Sequence, residues 1–280
     1  MSTSISTSFV TLFDAEVKQA YQSDRALAGT VRERAGVQGN TYKFNKLGSG
    51  VANLHIAQSD VTPLNLTHSQ VTATMSDYNA AEYSDIFTSG KVLFDERAEL
   101  VKALSMAIGR RMDQIVIDAI DGAGTSLTVA NSIGGSNTNL NVDKVLEAKK
   151  LMDAKNVPAE GRFFLCHSNN MAAFLDDSDV KTIDVNTTKA LAQGTVDSFL
   201  GFKFISIGDR DEGGLAIDGS SDRTCLAWHQ SSTGMAINMD KKTEINYIAE
   251  KASFLVNSMF SAGAVGIDTN GIVEITCRES

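Results

Sequence analysis

Val101–Ile120, VKALSMAIGRRMDQIVIDAI, carries the most regular pattern in the chain. Val101, Leu104, Ile108, Met112, Ile115 and Ala119 step by three, four, four, three and four residues, which is one stripe on an α-helix. Leu100, Ala103, Ala107 and Val116 widen the stripe. Traced back to Leu93, the pattern predicts a helix over 93–120, about 40 Å long at 1.5 Å per residue. The mean globular helix has about 11–12 residues, so this one is a long beam. Gly109 is its weak point, because glycine inside a helix costs about 1 kcal/mol relative to alanine. A bend or a close neighbour is expected there. Asp121, Gly122 and Gly124 stop the helix. Arg110, Arg111 and Asp113 lie off the main stripe. They read as a solvated face, with pairing to a neighbouring chain as the sharper alternative.

The segments before the helix are thinner. The first dozen residues, rich in Ser and Thr, are expected to be mobile. Asp14 can cap a helix reaching about Leu27, with Val17, Tyr21 and Leu27 at helical spacing. Tyr42, Phe44 and Leu47 then alternate in a strand-like way, and Gly48-Ser49-Gly50 makes a bend. Val71, Ala73 and Met75 alternate with Thr72, Thr74 and Ser76, which predicts a strand. Residues 36–85 as a whole hold few large apolar side chains and cannot bury a core of their own. Such a segment either packs on something else or protrudes.

After the helix, a linker rich in Gly, Ser and Asn runs from Gly122 to Asn139. Asn141 caps a second helix with Val142, Val145, Leu146, Leu151 and Met152 expected inward. Pro158 to Gly161 turns the chain into a short apolar strand, Arg162 to Cys166. Ser168 is expected to cap a helix carrying Met171, Phe174 and Leu175, and Thr188 to Ala192 reads as a further helical turn. Phe202, Phe204, Ile205 and Ile207 form a strand. Residues 140–234 therefore read as a compact α/β unit. Leu226 to Trp228, Ile245 to Tyr247, Phe254 to Ile267 and Ile272 to Ile275 are late strands, the last two joined by the turn Asp268-Thr269-Asn270-Gly271. These are expected to pack on the long helix.

The totals exclude several functions. The chain has 280 residues, with 42% apolar and 21% charged side chains, which is enough for a sizeable core. The net charge of -9 and the lack of a Lys/Arg cluster argue against nucleic-acid binding. Cys166, Cys225 and Cys277 form no CxxC pair and suit a reducing compartment. No stretch approaches the roughly 20 apolar residues of a membrane span, and the N-terminus lacks the pattern of a signal peptide. No phosphate-binding, dinucleotide-binding, hydrolase or zinc-protease motif occurs. The histidines at 55, 68, 167 and 229 are scattered. Cys166 and His167 are neighbours on a strand and point to opposite faces, so they do not make a nucleophile and base. Asp176 to Asp179 and Asp209 to Glu212 do not follow a calcium-loop pattern and read as surface loops. Trp228 reads as a core or interface aromatic. No catalytic, cofactor-binding or metal-ligating residue is expected.

Three stretches carry a resemblance. VRERAGVQGNTYKF (Val31–Phe44), LSMAIGRRMDQIVIDAI (Leu104–Ile120) and CLAWHQSSTGMAIN (Cys225–Asn238), in this order, resemble the major capsid proteins of tailed bacteriophages with the Hong Kong 97-like fold. The likeness covers essentially the whole chain. It implies an α+β fold with an N-terminal arm at 1–33 and an extended loop at 34–88 lying over a neighbouring subunit. It further implies a peripheral domain at 89–139 with its spine helix, an axial domain at 140–234, and strands returning to the peripheral domain at 235–280. The function so implied is self-assembly into pentamers and hexamers of an icosahedral shell around a double-stranded DNA genome, with no enzymatic activity. The implied location is the virion, assembled in the host cytoplasm. The implied partners are a portal, a separate scaffolding protein (the chain has no room for a scaffolding region of its own) and, in some shells, a cement protein. DNA would be enclosed without sequence-specific contacts, and an acidic wall suits that role. Some family members join Lys to Asn between subunits; Lys43 and Lys46 are present, but no spacing marks such a pair and none is expected. The alternatives are an encapsulin-like nanocompartment shell of the same fold, and a small α/β enzyme built on Cys166 or on the acids at 209–212.

Overall fold

A computed structural model describes residues 22, 24–58, 60–89, 91, 95–123, 127–178, 180, 198–210 and 212–279. The first dozen residues, the helical turn at 188–192 and most of the helix expected from Asp14 lie outside the described residues; the expected end of that helix near Leu27 is corrected, because residues 24–27 are not helical. In chain order the elements are β1 (Arg32–Ala35), β2 (Thr41–Leu47), β3 (His68–Thr74), β4 (Ser76–Asp85), α1 (Ile86–Ser89), α2 (Glu96–Asp121) and β5 (Thr128–Val129). There follow α3 (Val142–Ala154), β6 (Arg162–His167), α4 (Ser168–Asp176), β7 (Ser198–Phe199), β8 (Phe202–Ile207) and β9 (Asp222–His229). The chain ends with β10 (Thr233–Ile248), β11 (Ser253–Gly266) and β12 (Ile272–Arg278).

The long helix is α2, 26 residues from Glu96 to Asp121. The side chain of Asp95 caps it by accepting from the N–H of Ala98 at 3.3 Å, so helical geometry starts at Glu96 rather than at Leu93. Gly122 closes it, its N–H donating to the Asp118 carbonyl at 2.8 Å. Ile108, Met112, Ile115, Val116, Ile117 and Ile120 are buried, while Val101 and Leu104 are half-buried. The expected stripe is present and deepens toward the C-terminal half.

Two sheets share this helix. One has the order β1-β10-β11-β4. Its strands β10 and β11 form a long antiparallel ribbon, and α2 lies on one face against β11, β4 and β10. On that face Phe260 stacks on Tyr78 with ring centroids 5.1 Å apart. The second sheet has the order β5-β12-β9-β6-β8-β7. Its strands alternate between two cores, as the pleat requires. Leu165, Leu226, Trp228 and Ile272 join the α2 core. Phe164, Cys166, Cys225, Ala227, Val273 and Ile275 face a second core with Val145, Ala148 and Met152 of α3 and with Met171 and Phe174 of α4. The arrangement is therefore helix, sheet, helices.

Two expectations change. Leu146 of α3 is 51% exposed, and Ala148, one turn on from Val145, is buried instead. The cap of α4 is His167, whose ring accepts from the N–H of Asn169, and Ser168 is already the first helical residue. The closing strand β12 pairs with β9 and β5 in the six-stranded sheet and packs on the long helix, as expected, through Ile272.

The thin early segment is a hairpin of β2 and β3 in antiparallel register, Thr41 opposite Thr74 and Leu47 opposite His68. Its root packs on the other face of the four-stranded sheet, with Phe44, Ala73 and Met75 buried against Ala236 and Ile267. Two glycines allow that approach. A Cβ at Gly263 would stand 2.0 Å from the Thr74 carbonyl oxygen, and one at Gly234 would stand 2.6 Å from the Phe44 ring.

Two substitutions test this packing. Ile108→Asp places an unpaired charge in the core and is expected to abolish cooperative unfolding in urea; a soluble variant that still assembles would refute the placement of that face. Gly109→Ala ordinarily gains about 1 kcal/mol in a helix. Here its Cβ would lie 2.6 Å from Asp24 Oδ1 and 3.0 Å from the Arg25 nitrogen. The expected outcome is a net loss of about 1–2 kcal/mol in the same assay, since overpacking outweighs propensity.

Candidate functional site: assembly surfaces and the joints behind them

Most of the exposed large apolar residues fall into two surfaces, with Leu146 of α3 and Ile217 apart from both. The first is the hairpin tip, residues 48–67, between β2 and β3. Val51, Leu54, Ile56 and Val61 are 84%, 91%, 65% and 85% exposed, and Leu47 and Leu64 are also open. The second lies at the far end of the β10–β11 ribbon. Tyr83, Ile86, Phe87, Ile245 and Tyr247 are exposed there, with the Lys251 ammonium 4.0 Å over the Tyr83 ring and Arg97 4.8 Å over Phe254. Among the described residues β1 covers β10 only from Gly234 to Ile237, so Asp240–Ile248 has a strand neighbour on one side alone. Such edges and patches are where chains meet other chains.

Behind these surfaces are internal joints. Asp113 of α2 is 1% exposed. It accepts from the backbone N–H of Ala26 at 2.8 Å and of Leu27 at 3.0 Å, and it pairs with Arg210 at 3.1 Å. Burial pushes the Asp113 carboxyl above the ordinary carboxylate range, against the pull of the two N–H groups and Arg210. The expected solvated face is thus corrected. Asp113 and Arg210 are internal, and Arg111 lies 4.5 Å over the Tyr78 ring while pairing with Glu212 at 3.4 Å. The acidic loop at 209–212 is therefore a tie between the six-stranded sheet and the helix. The chain before β1 is held further by the Trp228 indole N–H, which donates to the Thr30 carbonyl at 3.0 Å.

A second joint sits at the carboxyl ends of β6 and β8. His167 is 2% exposed there. Its Nδ1 accepts from the N–H of Asn169 at 3.2 Å and lies 3.5 Å from Glu279 Oε1, and its Nε2 lies 3.2 Å from Asp209 Oδ1. Arg223 holds Glu279 at 2.6 Å and reaches Asp209 at 3.4 Å. Burial works to raise the Glu279 carboxyl, and the bonds from Arg223 and Asn169 outweigh it, leaving its pKa below the usual range.

Cys166, Cys225 and Cys277 are free and buried, and burial pushes the Cys166 thiol up to about 12, which disfavours its thiolate at neutral pH. Among the described residues no group of three or more His, Cys, Asp and Glu is arranged to hold a metal ion, and no helix is long and apolar enough to cross a membrane.

This architecture, a long helix shared by two sheets with a projecting hairpin, is the α+β fold of Hong Kong 97-like shell subunits. It matches the capsid structure of the cyanophage P-SCSP1u with a TM-score of 0.77 and 16% identity, covering 97% of this chain and 94% of that one. The Mycobacterium phage Che8 structure matches at 0.74 and 16% identity, with coverage of 96% and 97%. The head structure of Helicobacter pylori bacteriophage KHP40 matches at 0.81 and 11% identity, with coverage of 99% and 98%. No curated protein matches in sequence. The family model for phage capsid protein covers residues 5–279, and the chain belongs to that family. It is a capsid protein of the phage virion, and the encapsulin-like alternative is not favoured.

The joint at Asp113 has a measurable size. Asp113→Ala leaves two backbone N–H groups and the buried Arg210 guanidinium without their acceptor. Removing one partner of a buried pair costs about 3–5 kcal/mol, and a loss of that order in unfolding free energy from urea titration is expected.

Proposed function

We propose that the chain is the major shell subunit of a tailed phage, a structural and non-enzymatic tile that closes into pentamers and hexamers of an icosahedral shell. Rings of five and six from one chain need heterologous contacts, one surface against a different surface of the next copy. In this reading the hairpin tip and the ribbon end supply such a pair. In this reading residues 1–33 are the N-terminal arm, and 34–88 the extended loop laid over a neighbour. The spine helix and the β10–β11 ribbon belong to the peripheral domain. The axial domain is the six-stranded sheet with α3 and α4, and it takes in β12 as well as 140–234. A separate scaffolding protein and a portal complete assembly in the host cytoplasm, a cement protein is a further partner in some shells, and DNA is enclosed without sequence-specific contacts.

The observation that carries this is the hairpin tip. Monomeric proteins rarely leave contiguous apolar patches beyond a few hundred Å² uncovered. Here four large apolar side chains of one loop are exposed by 65% or more, on a segment whose root alone is packed. Electron microscopy of the purified, untagged chain, with size-exclusion elution recorded beside it, is expected to show shells, tubes or rings. The double variant Leu54→Asp, Ile56→Asp is expected to keep the thermal midpoint within about 1 °C, because exposed positions contribute little to the fold, and to lose assembly. Normal shells from that variant would remove the tip from the contact.

A further inference from the structure

We propose that His167 is a proton-operated joint that exchanges the cap of α4 for a grip on Glu279. The neutral state follows from the geometry. Nδ1 accepts from the Asn169 N–H at 3.2 Å, so the ring proton sits on Nε2, 3.2 Å from Asp209 Oδ1. That Nε2 is buried and finds no well-directed hydrogen bond. Taking up a proton places hydrogen on Nδ1. The ring then no longer accepts from Asn169, and Glu279 Oε1, 3.5 Å away, becomes its acceptor.

The surroundings supply the partners for this exchange. The groups facing the ring are Asp209 from the loop after β8, Arg223 from β9, Glu279 after β12 and the buried thiols of Cys166 and Cys225; the first turn of α4 contributes no acid. Arg278 is committed to Asp222. Two carboxylates thus stand against one guanidinium while His167 is neutral, and the charges balance when it is protonated. Histidine is the side chain whose ordinary titration falls between about pH 5 and 8. Acid therefore loosens the first turn of α4 and tightens the hold on the residue that follows β12. The two consequences run in opposite directions along the chain, which a merely structural histidine would not produce. The inference does not depend on the shell reading.

Hydrogen–deuterium exchange of the full chain, corrected for the chemical exchange rate, tests it between about pH 7.5 and about pH 5.5. In the natural protein, protection of residues 168–172 is expected to fall about fivefold on acidification, the factor of an ordinary lost N-cap, while residues 276–279 gain protection. His167→Asn caps without titrating and is expected to hold both segments constant; His167→Ser serves if the Asn variant does not fold. Glu279→Gln, made in the natural background, is expected to abolish the gain at 276–279. Identical acid responses in the natural protein and the capping variant, or no loss at 168–172 in the natural protein, would overturn the proposal.

Discussion

Ile108, Met112, Ile115, Val116, Ile117 and Ile120 of α2 are buried among residues of both sheets. The ribbon of β10 and β11 meets the helix through Phe260 and Ala262, and the six-stranded sheet meets it through Leu165, Leu226, Trp228 and Ile272. Close-packed interiors resist small displacements, so the two sheets are fixed to one beam and through it to each other. The polar joints follow the same logic. Asp113 gathers the chain at 26–27 and the loop at 210 onto the helix at one point, where a single carboxylate satisfies three donors.

The hairpin of β2 and β3 obeys a different constraint. Its root is buried only because Gly234 and Gly263 let Phe44 and Thr74 approach the sheet. Beyond Leu47 the segment carries apolar side chains with no layer among the described residues to bury them against. Ordering a loop costs conformational entropy, and apolar burial is what offsets it. A neighbouring copy would supply that burial, which is the physical basis for reading the loop as a contact between copies.

Much of this was legible in the sequence where periodicity was strong. The α2 stripe, the strands at 41–47 and 68–74, the Asn141 cap and the apolar strands at 162–166 and 226–228 follow directly from spacing. The joints were not, because they depend on residues far apart in the chain. Asp113 was set aside as solvated, although Gly109, Asp113, Ile117 and Ile120 step by four, four and three along a second stripe. A glycine one turn before a lone acid on that stripe marks a backbone approaching the helix, and Asp24 and Arg25 are that backbone. The role of His167 was hidden for a similar reason. A ring at a strand's end can cap the next helix only if its Nδ1 faces back along the chain, and spacing carries no such information. The place of β12 is a matter of pairing, and two apolar strands separated by a turn look alike in either sheet.

The distribution of basic groups bears on what the shell wall can do. Arg25 pairs with Glu33, Arg111 with Glu212, Arg162 with Asp153, Arg210 with Asp113, Arg223 with Glu279 and Arg278 with Asp222. These guanidiniums are engaged by carboxylates of the same chain, which leaves them less available to release counterions from a polyanion, the main source of affinity for nucleic acid. The acidic excess then dominates the long-range field. In the proposed shell these arginines contribute to the rigidity of the tile, and the acidic excess disfavours adhesion to enclosed DNA.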